Sequence, residues 1–340
     1  MRFARNQWYV AAWASDVGRK PLGRIICNEP IVMYRSVQGG VVALEDICPH
    51  RLLPLSMGMI EGDDIRCRYH GLLLGTDGRC REMPGGDSIN VAVRVPSYAV
   101  TERYGFIWVW IGDPAAADPA LLPDLWMNEA TGWRVGGGTY HVKCDYRLII
   151  DNLMDLSHET YVHPTTVGQK EIHDFPIETR VERGRVVTSR WMPDIDPPPL
   201  YRASLGDYHG RVDRWQICEY LPPAGVIIDV GVAPVAEGLT LANHDKAKVR
   251  SFVLDFVTPE TDRTCHYFWG SARTRDIDDD AKFAEMTQMQ GGVFLEDVEV
   301  LEAQQRVIDN HPDRKLRAFK VDSGGVRARL MLDKLVSASR

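Results

Sequence analysis

Two short segments, Cys48-Pro49-His50 and Cys67-Arg68-Tyr69-His70, each carry one thiol and one imidazole, with sixteen residues between them. Whatever this chain folds into must bring those two segments together. Two thiolates and two imidazoles divided in this way match a [2Fe–2S] cluster in which two Cys hold one iron and two His hold the other. Neutral imidazoles in place of two thiolates reduce the negative charge around the cluster and raise its potential, which makes a one-electron relay. Structural zinc is the alternative. Cys2His2 zinc sites usually place a Cys pair ahead of a His pair, whereas each half is mixed here. Pro49 cannot continue a helix, and Gly71 follows His70 where a tight backbone is expected, so both segments read as loops. Cys27, Cys80, Cys144, Cys218 and Cys265 complete the seven cysteines. None has a partner at ligand spacing except Cys265-His266, which are adjacent and would point apart on a strand.

The 340 residues suggest two domains. An odd cysteine count without regular spacing argues against a disulfide framework and for a reducing cytoplasm. Neither a signal-peptide pattern at Met1-Arg2-Phe3-Ala4 nor a run of eighteen apolar residues is present, so no membrane segment is expected. A net charge of −7 argues against nucleic acid as a partner. Up to Ile111 the pattern is short apolar alternations broken by Gly and Pro, such as Ile31-Val32-Met33-Tyr34 and Phe106-Ile107-Trp108-Val109-Trp110. That predicts a small all-β domain over 1–115. The Pro/Ala/Asp-rich stretch Gly112 to Pro119 opens a linker region, assigned to 116–128. The remainder, 129–340, reads as a larger α+β domain. It opens with a helix over Tyr146–Tyr161, continues through strands near Gly225–Val230, Ser251–Val257 and His266–Trp269, and then has a long helix from Asp280 to Asp309.

A second ligand-rich segment runs from Asp151 to His163. On a helix Asn152, Asp155 and His158 recur every three residues and share a face. His163, five residues past His158, reaches the same metal only if the helix ends there, and Pro164 supplies the reason. Two His with one distant carboxylate would form the facial triad of a non-haem Fe(II) oxygenase, with positions left open for O2. The long C-terminal helix offers Glu296, Asp297 and Glu299. Asp297 lies on the apolar stripe with Val293 and Leu301, where a carboxylate needs a partner, and is chosen as the third ligand.

With both patterns in hand, Cys-x-His…Cys-x2-His and Asn-x2-Asp-x2-His-x4-His, the chain resembles the α-subunits of Rieske non-haem iron oxygenases over nearly its whole length. Further residues that carry the likeness are Asn6 to Ala11, Lys20 to Arg24, Arg103 to Trp110, Cys144 to Leu148, Gly168 to Ile172 and Val212 to Cys218. The resemblance implies an all-β Rieske domain followed by a helix-grip-like catalytic domain with an antiparallel sheet and flanking helices. It implies that Cys48, His50, Cys67 and His70 hold one Rieske [2Fe–2S] cluster, and that His158, His163 and Asp297 hold one mononuclear Fe(II). Asp155 would link a Rieske His of a neighbouring subunit to an iron-ligating His in a head-to-tail homotrimer, and Asn152 would lie near the iron. A separate reductase with flavin and a plant-type [2Fe–2S] centre would supply electrons from NAD(P)H.

The implied reaction is O2-dependent O-demethylation of a methoxylated aromatic acid such as vanillate, giving protocatechuate and formaldehyde. N- or S-demethylation, methyl hydroxylation and ring hydroxylation are alternatives within the same fold, and a bare Rieske electron carrier is an alternative outside it. By family analogy Asp229 and Asp255 face the substrate, although strand alternation allows either to point away. Arg202, Arg211 and Arg214 are candidates to pair with a substrate carboxylate.

Overall fold

The computed structural model describes residues 3–338. They divide into two compact units, one reaching Asp124 and including Thr258–Thr261, the other comprising Leu125–Val257 and Asp262–Ala338. The division after Asp124 falls within the region assigned as linker. Gly112 to Pro119 is itself ordered: Asp113 and Asp118 accept from the backbone N–H groups of Ala115 and Ala120, capping two short 3-10 turns, and Trp8 Nε1 donates to Asp118 O at 2.9 Å.

The first unit is all β. One three-stranded sheet orders Gln7–Trp13, Phe106–Ile111 and Val100–Arg103, and a second orders Leu22–Ile26, Glu29–Arg35 and Val41–Glu45. Phe106–Ile111 is buried throughout, as its unbroken apolar run requires of a central strand. Four short strands, Met59–Glu61, Asp64–Arg66, Leu73–Leu74 and Cys80–Glu82, make a third sheet. The core beneath it includes Leu44, Leu55, Ile65 and Leu74 together with Cys48 and Cys67. Thr258, far away in sequence, returns to this unit and donates to Val10 O at 2.6 Å.

The second unit is built on a seven-stranded antiparallel sheet. Its order is Arg134–Val142, Cys265–Arg273, Val249–Pro259, Gly225–Pro234, Val212–Leu221, Arg185–Ile195 and Glu178–Glu182. Among the described residues five helices accompany it: α1 (Tyr146–Leu153), α2 (Glu159–Val162), α3 (Pro199–Leu205), α4 (Asp280–Asn310) and α5 (Ser323–Ala338). Phe294 of α4 packs on Tyr267 and Trp269 of the sheet, with ring centroids 5.5 and 5.4 Å apart. Gly291 permits that approach, since a Cβ there would lie 2.7 Å from the Trp269 ring.

The single helix expected over Tyr146–Tyr161 is two. α1 stops at Leu153 and α2 begins at Glu159. Local side chains outcompete the helical ladder between them. Asp155 Oδ1 accepts the backbone N–H of Ser157 at 2.7 Å, and Arg190 Nη2 donates to Leu156 O at 2.8 Å. Asp155 and His158 are therefore not on one helical face with Asn152; they sit on the turn between two helices.

Candidate metal centres and substrate cavity

In the first unit the two mixed loops have the same backbone wiring. Cys48 N donates to Leu53 O and Leu52 N returns to Cys48 O; Cys67 N donates to Leu72 O and Gly71 N returns to Cys67 O. The fourth residue after each Cys is left-handed, Leu52 with φ 59° and Gly71 with φ 80°. Both thiols are buried, while His50 and His70 are exposed with ring centroids 4.4 Å apart. Among the described residues one group alone brings three or more ligand atoms within 4.8 Å of one another, and it is not this one. Ligands spread in this way suit two irons better than the single point of a tetrahedral zinc. Desolvation, His50 and Arg51 lower the His70 pKa, which favours the neutral ring that a metal needs.

The convergent group is His158, His163 and Asp297 in the second unit. Asp297 Oδ1 lies 3.5 Å from His158 Nε2 and 3.2 Å from His163 Nε2, and Asn152 Nδ2 donates to it at 2.9 Å. His163 terminates α2 with φ −117° and ψ 45°, outside the helical region, as a residue before Pro should be. The loop that follows folds back because Gly168 has no side chain. Its N–H donates to His163 O at 2.9 Å, and a Cβ there would lie 2.2 Å from Glu159 O. Each imidazole is oriented through Nδ1. That of His163 lies 2.6 Å from Glu296 Oε2 and that of His158 lies 2.6 Å from the main-chain carbonyl of Asp155. Burial opposes protonation of His163, but Asp297 and Glu296 outweigh it and lift the pKa to about 8. The pocket thus favours positive charge, and two imidazoles with a carboxylate fit a divalent iron.

Beneath the triad lies a buried charge network. Glu159 accepts from Arg214 Nη2 at 3.2 Å and from Gln216 Nε2, and Arg190 Nη2 lies 3.7 Å from it. This clamp fixes the start of α2, next to His158.

A cavity of about 150 Å³ opens from the triad, comparable to one that holds a benzene ring. Its wall is largely apolar, including Leu200, Ile228, Val230, Val253 and Phe294. Asp155 and Asn152 line it; Asp229 and Asp255 do not. Asp229 alternates with Ile228 and Val230 and faces away. It accepts from Trp215 Nε1 and from Arg250 Nε at 3.0 Å each, and lies 3.0 Å from His244 Nε2. Burial opposes its ionisation, yet His244 and Arg250 bring its pKa to about 2. Asp255 is fully buried and accepts from Tyr267 Oη at 2.8 Å. Of the three candidate arginines only Arg214 lines the cavity; Arg211 is bound to Asp194 at 2.7 Å, and Arg202 is 3.9 Å from Asp196. Sequence reading names Glu296 only among the carboxylates of the long helix and misses its place behind His163; it also misses Arg273, which lines the cavity from the end of a strand.

Two family models match the chain: the Rieske [2Fe-2S] domain over residues 7–99 and the vanillate O-demethylase oxygenase C-terminal domain over residues 142–338. The chain is 47% identical to the vanillate O-demethylase oxygenase subunit of Pseudomonas sp. (strain HR199 / DSM 7063), covering 99% of this chain and 96% of that one. It is 35% identical to the oxygenase component of dicamba O-demethylase from Stenotrophomonas maltophilia, covering 97% and 94%. The crystal structure of dicamba monooxygenase bound to dicamba superposes with a TM-score of 0.90 at 34% identity and full coverage of both chains. With an all-β iron–sulfur unit, a convergent His-His-Asp site and these relatives, the chain belongs to the Rieske non-haem iron oxygenases and is an oxidoreductase of the monooxygenase type.

Proposed function

We propose that this chain is the oxygenase component of an O-demethylase whose substrate is a methoxylated aromatic acid such as vanillate, with protocatechuate and formaldehyde as products. The observation that carries the reading is a cavity sized for one arene with His158, His163 and Asp297 at its end. The names of the relatives support the O-demethylase class. In this reading Cys48, His50, Cys67 and His70 hold the Rieske cluster, and His158, His163 and Asp297 hold Fe(II), which supplies O2 activation when bound.

The chain's own task is to hold the ring with its methyl group at the triad and keep bulk water out. One oxygen atom enters the methyl C–H bond, and the other leaves as water with two electrons and two protons. The resulting hemiacetal breaks its C–O bond to give phenol and formaldehyde. The electrons come from NAD(P)H through a separate reductase carrying flavin and a plant-type [2Fe–2S] centre. The active assembly is a homotrimer in which Asp155 connects a neighbouring subunit's Rieske His to this chain's iron site. An odd number of cysteines without regular spacing makes no disulfide framework, which supports a cytoplasmic location.

The test is anaerobic purification with iron and sulfide analysis, followed by turnover of a methoxyarene panel with a surrogate reductase, scored for formaldehyde. Stoichiometric formaldehyde and phenol support O-demethylation. Ring or methyl hydroxylation without formaldehyde assigns the alternative reaction, and zinc without acid-labile sulfide removes both.

A further inference from the structure

Charge is unevenly distributed along the cavity. Asp155, Glu159 and Asp297 gather at the triad. From Asp297 the lining runs along α4 through Phe294, Gln290 and Met286, and alongside the early turns of α4 stands Arg273. Its Nη2 donates to Phe283 O at 2.5 Å and to Thr287 Oγ1 at 3.1 Å, and its guanidinium stacks 4.2 Å from the Phe283 ring centroid. Arg273 is buried, its Nε has no hydrogen-bond partner, and among the described residues no carboxylate forms an ion pair with it. Two other arginines of the wall are ion-paired, Arg214 with Glu159 and Arg250 with Asp229, while Arg275 lines it from an exposed position. Asp276 acts on Arg273 through space without pairing with it. A buried cation without an ion-pair partner is costly, and a bound anion reduces that cost.

Resting on the reading of the substrate as an aromatic acid, we propose that Arg273 is the carboxylate anchor of the cavity and sets the orientation of the substrate. The carboxylate sits on the cavity-facing side of the guanidinium, and the methoxy carbon lies at the triad. Thr287 and Asp297 are ten residues apart on α4, a rise on the order of 15 Å. That length suits one ring spanning the two ends, with a metal contact at one end and a hydrogen bond at the other.

The test compares iron-loaded wild type with Arg273→Met, which keeps an unbranched side chain against Phe283, and with Arg273→Lys, which keeps the charge. Binding of vanillate and of its neutral analogue vanillyl alcohol is measured by calorimetry without O2 or reductant, and KM and kcat are measured for both. Arg273→Met is expected to weaken vanillate binding by about tenfold or more, as loss of a charged hydrogen bond does. The alcohol should change by less than about twofold, and Arg273→Lys should recover part of the loss. Equal weakening of both ligands means a purely structural role and overturns the inference. Undiminished preference for the acid in Arg273→Met overturns it as well, while leaving the acid reading intact. A wild type that binds the alcohol as tightly as the acid removes the aromatic-acid reading and the inference with it.

Discussion

Glu296 Oε2 lies 2.6 Å from Nδ1 of His163 and also accepts from Thr166 Oγ1 at 3.3 Å. The contact fixes the ring so that Nε2 faces Asp297. Carboxylates that hold the far nitrogen of a ligating His raise its basicity and its order. Glu296→Ala is therefore expected to lower ferrous iron affinity by about 10–100-fold, with the visible spectrum of the iron–sulfur cluster unchanged. Anaerobic iron titration of the variant checks this; unaltered affinity would show that His163 is oriented without help.

Asp155 offers His158 its main-chain carbonyl, and its carboxylate caps Ser157 N. An Asn side chain keeps an oxygen for Ser157 and leaves the carbonyl in place. Asp155→Asn should retain both metals but lose product formation coupled to reductant oxidation. Full coupled turnover by a metal-replete Asp155→Asn protein would end its proposed role between subunits.

Asp255 is a buried acid whose pKa is raised to about 8, mainly by desolvation and against the hydrogen bond from Tyr267. The folded state keeps its proton where the unfolded chain, ionising near the ordinary value of 3.8, has released it. Stability from this group is full below pH 4, falls as pH rises towards 8, and levels off above that. Asp255→Asn should flatten the decline. Denaturant titrations between pH 5 and pH 8 of wild type and variant give the two slopes, and parallel slopes would refute the assignment.

Leu52 holds φ at 59° and is 72% exposed, in the position that Gly71 fills in the companion loop. A left-handed conformation costs an L-residue about 1–2 kcal/mol, partly offset by the flexibility that Gly adds to the unfolded chain. Leu52→Gly should stabilise the first unit by about 0.5–1 kcal/mol. Denaturation monitored at the cluster absorbance reads the change; a loss of stability would mean that the Leu52 side chain makes a contact worth more than the strain.

The strands expected around Ile31–Tyr34, Phe106–Trp110, Gly225–Val230 and His266–Trp269 fall inside observed strands. The long helix from Asp280 extends one residue beyond the expected end. These were legible because apolar periodicity is a local property. The break in the helix expected over Tyr146–Tyr161 was not, because it depends on Arg190, a residue from a distant strand that holds Leu156 O. The side from which Asp229 faces the sheet was equally undecided, since alternation gives two answers and only the neighbours Trp215, Arg250 and His244 choose one.

Read alone, the sequence determined the kinds of ligand available, their grouping into two mixed loops and one His-x4-His segment, and the carboxylate on the apolar stripe of the last long helix. Those are questions of residue type and local period. Tertiary structure decided which groups share a space. It brought His158, His163 and Asp297 together, set Glu296 behind His163, turned Asp229 out of the cavity and left Arg273 in its wall without an ion-pair partner among the described residues. Distances between residues far apart in the chain follow from how the sheet and α4 pack, and no local pattern encodes them.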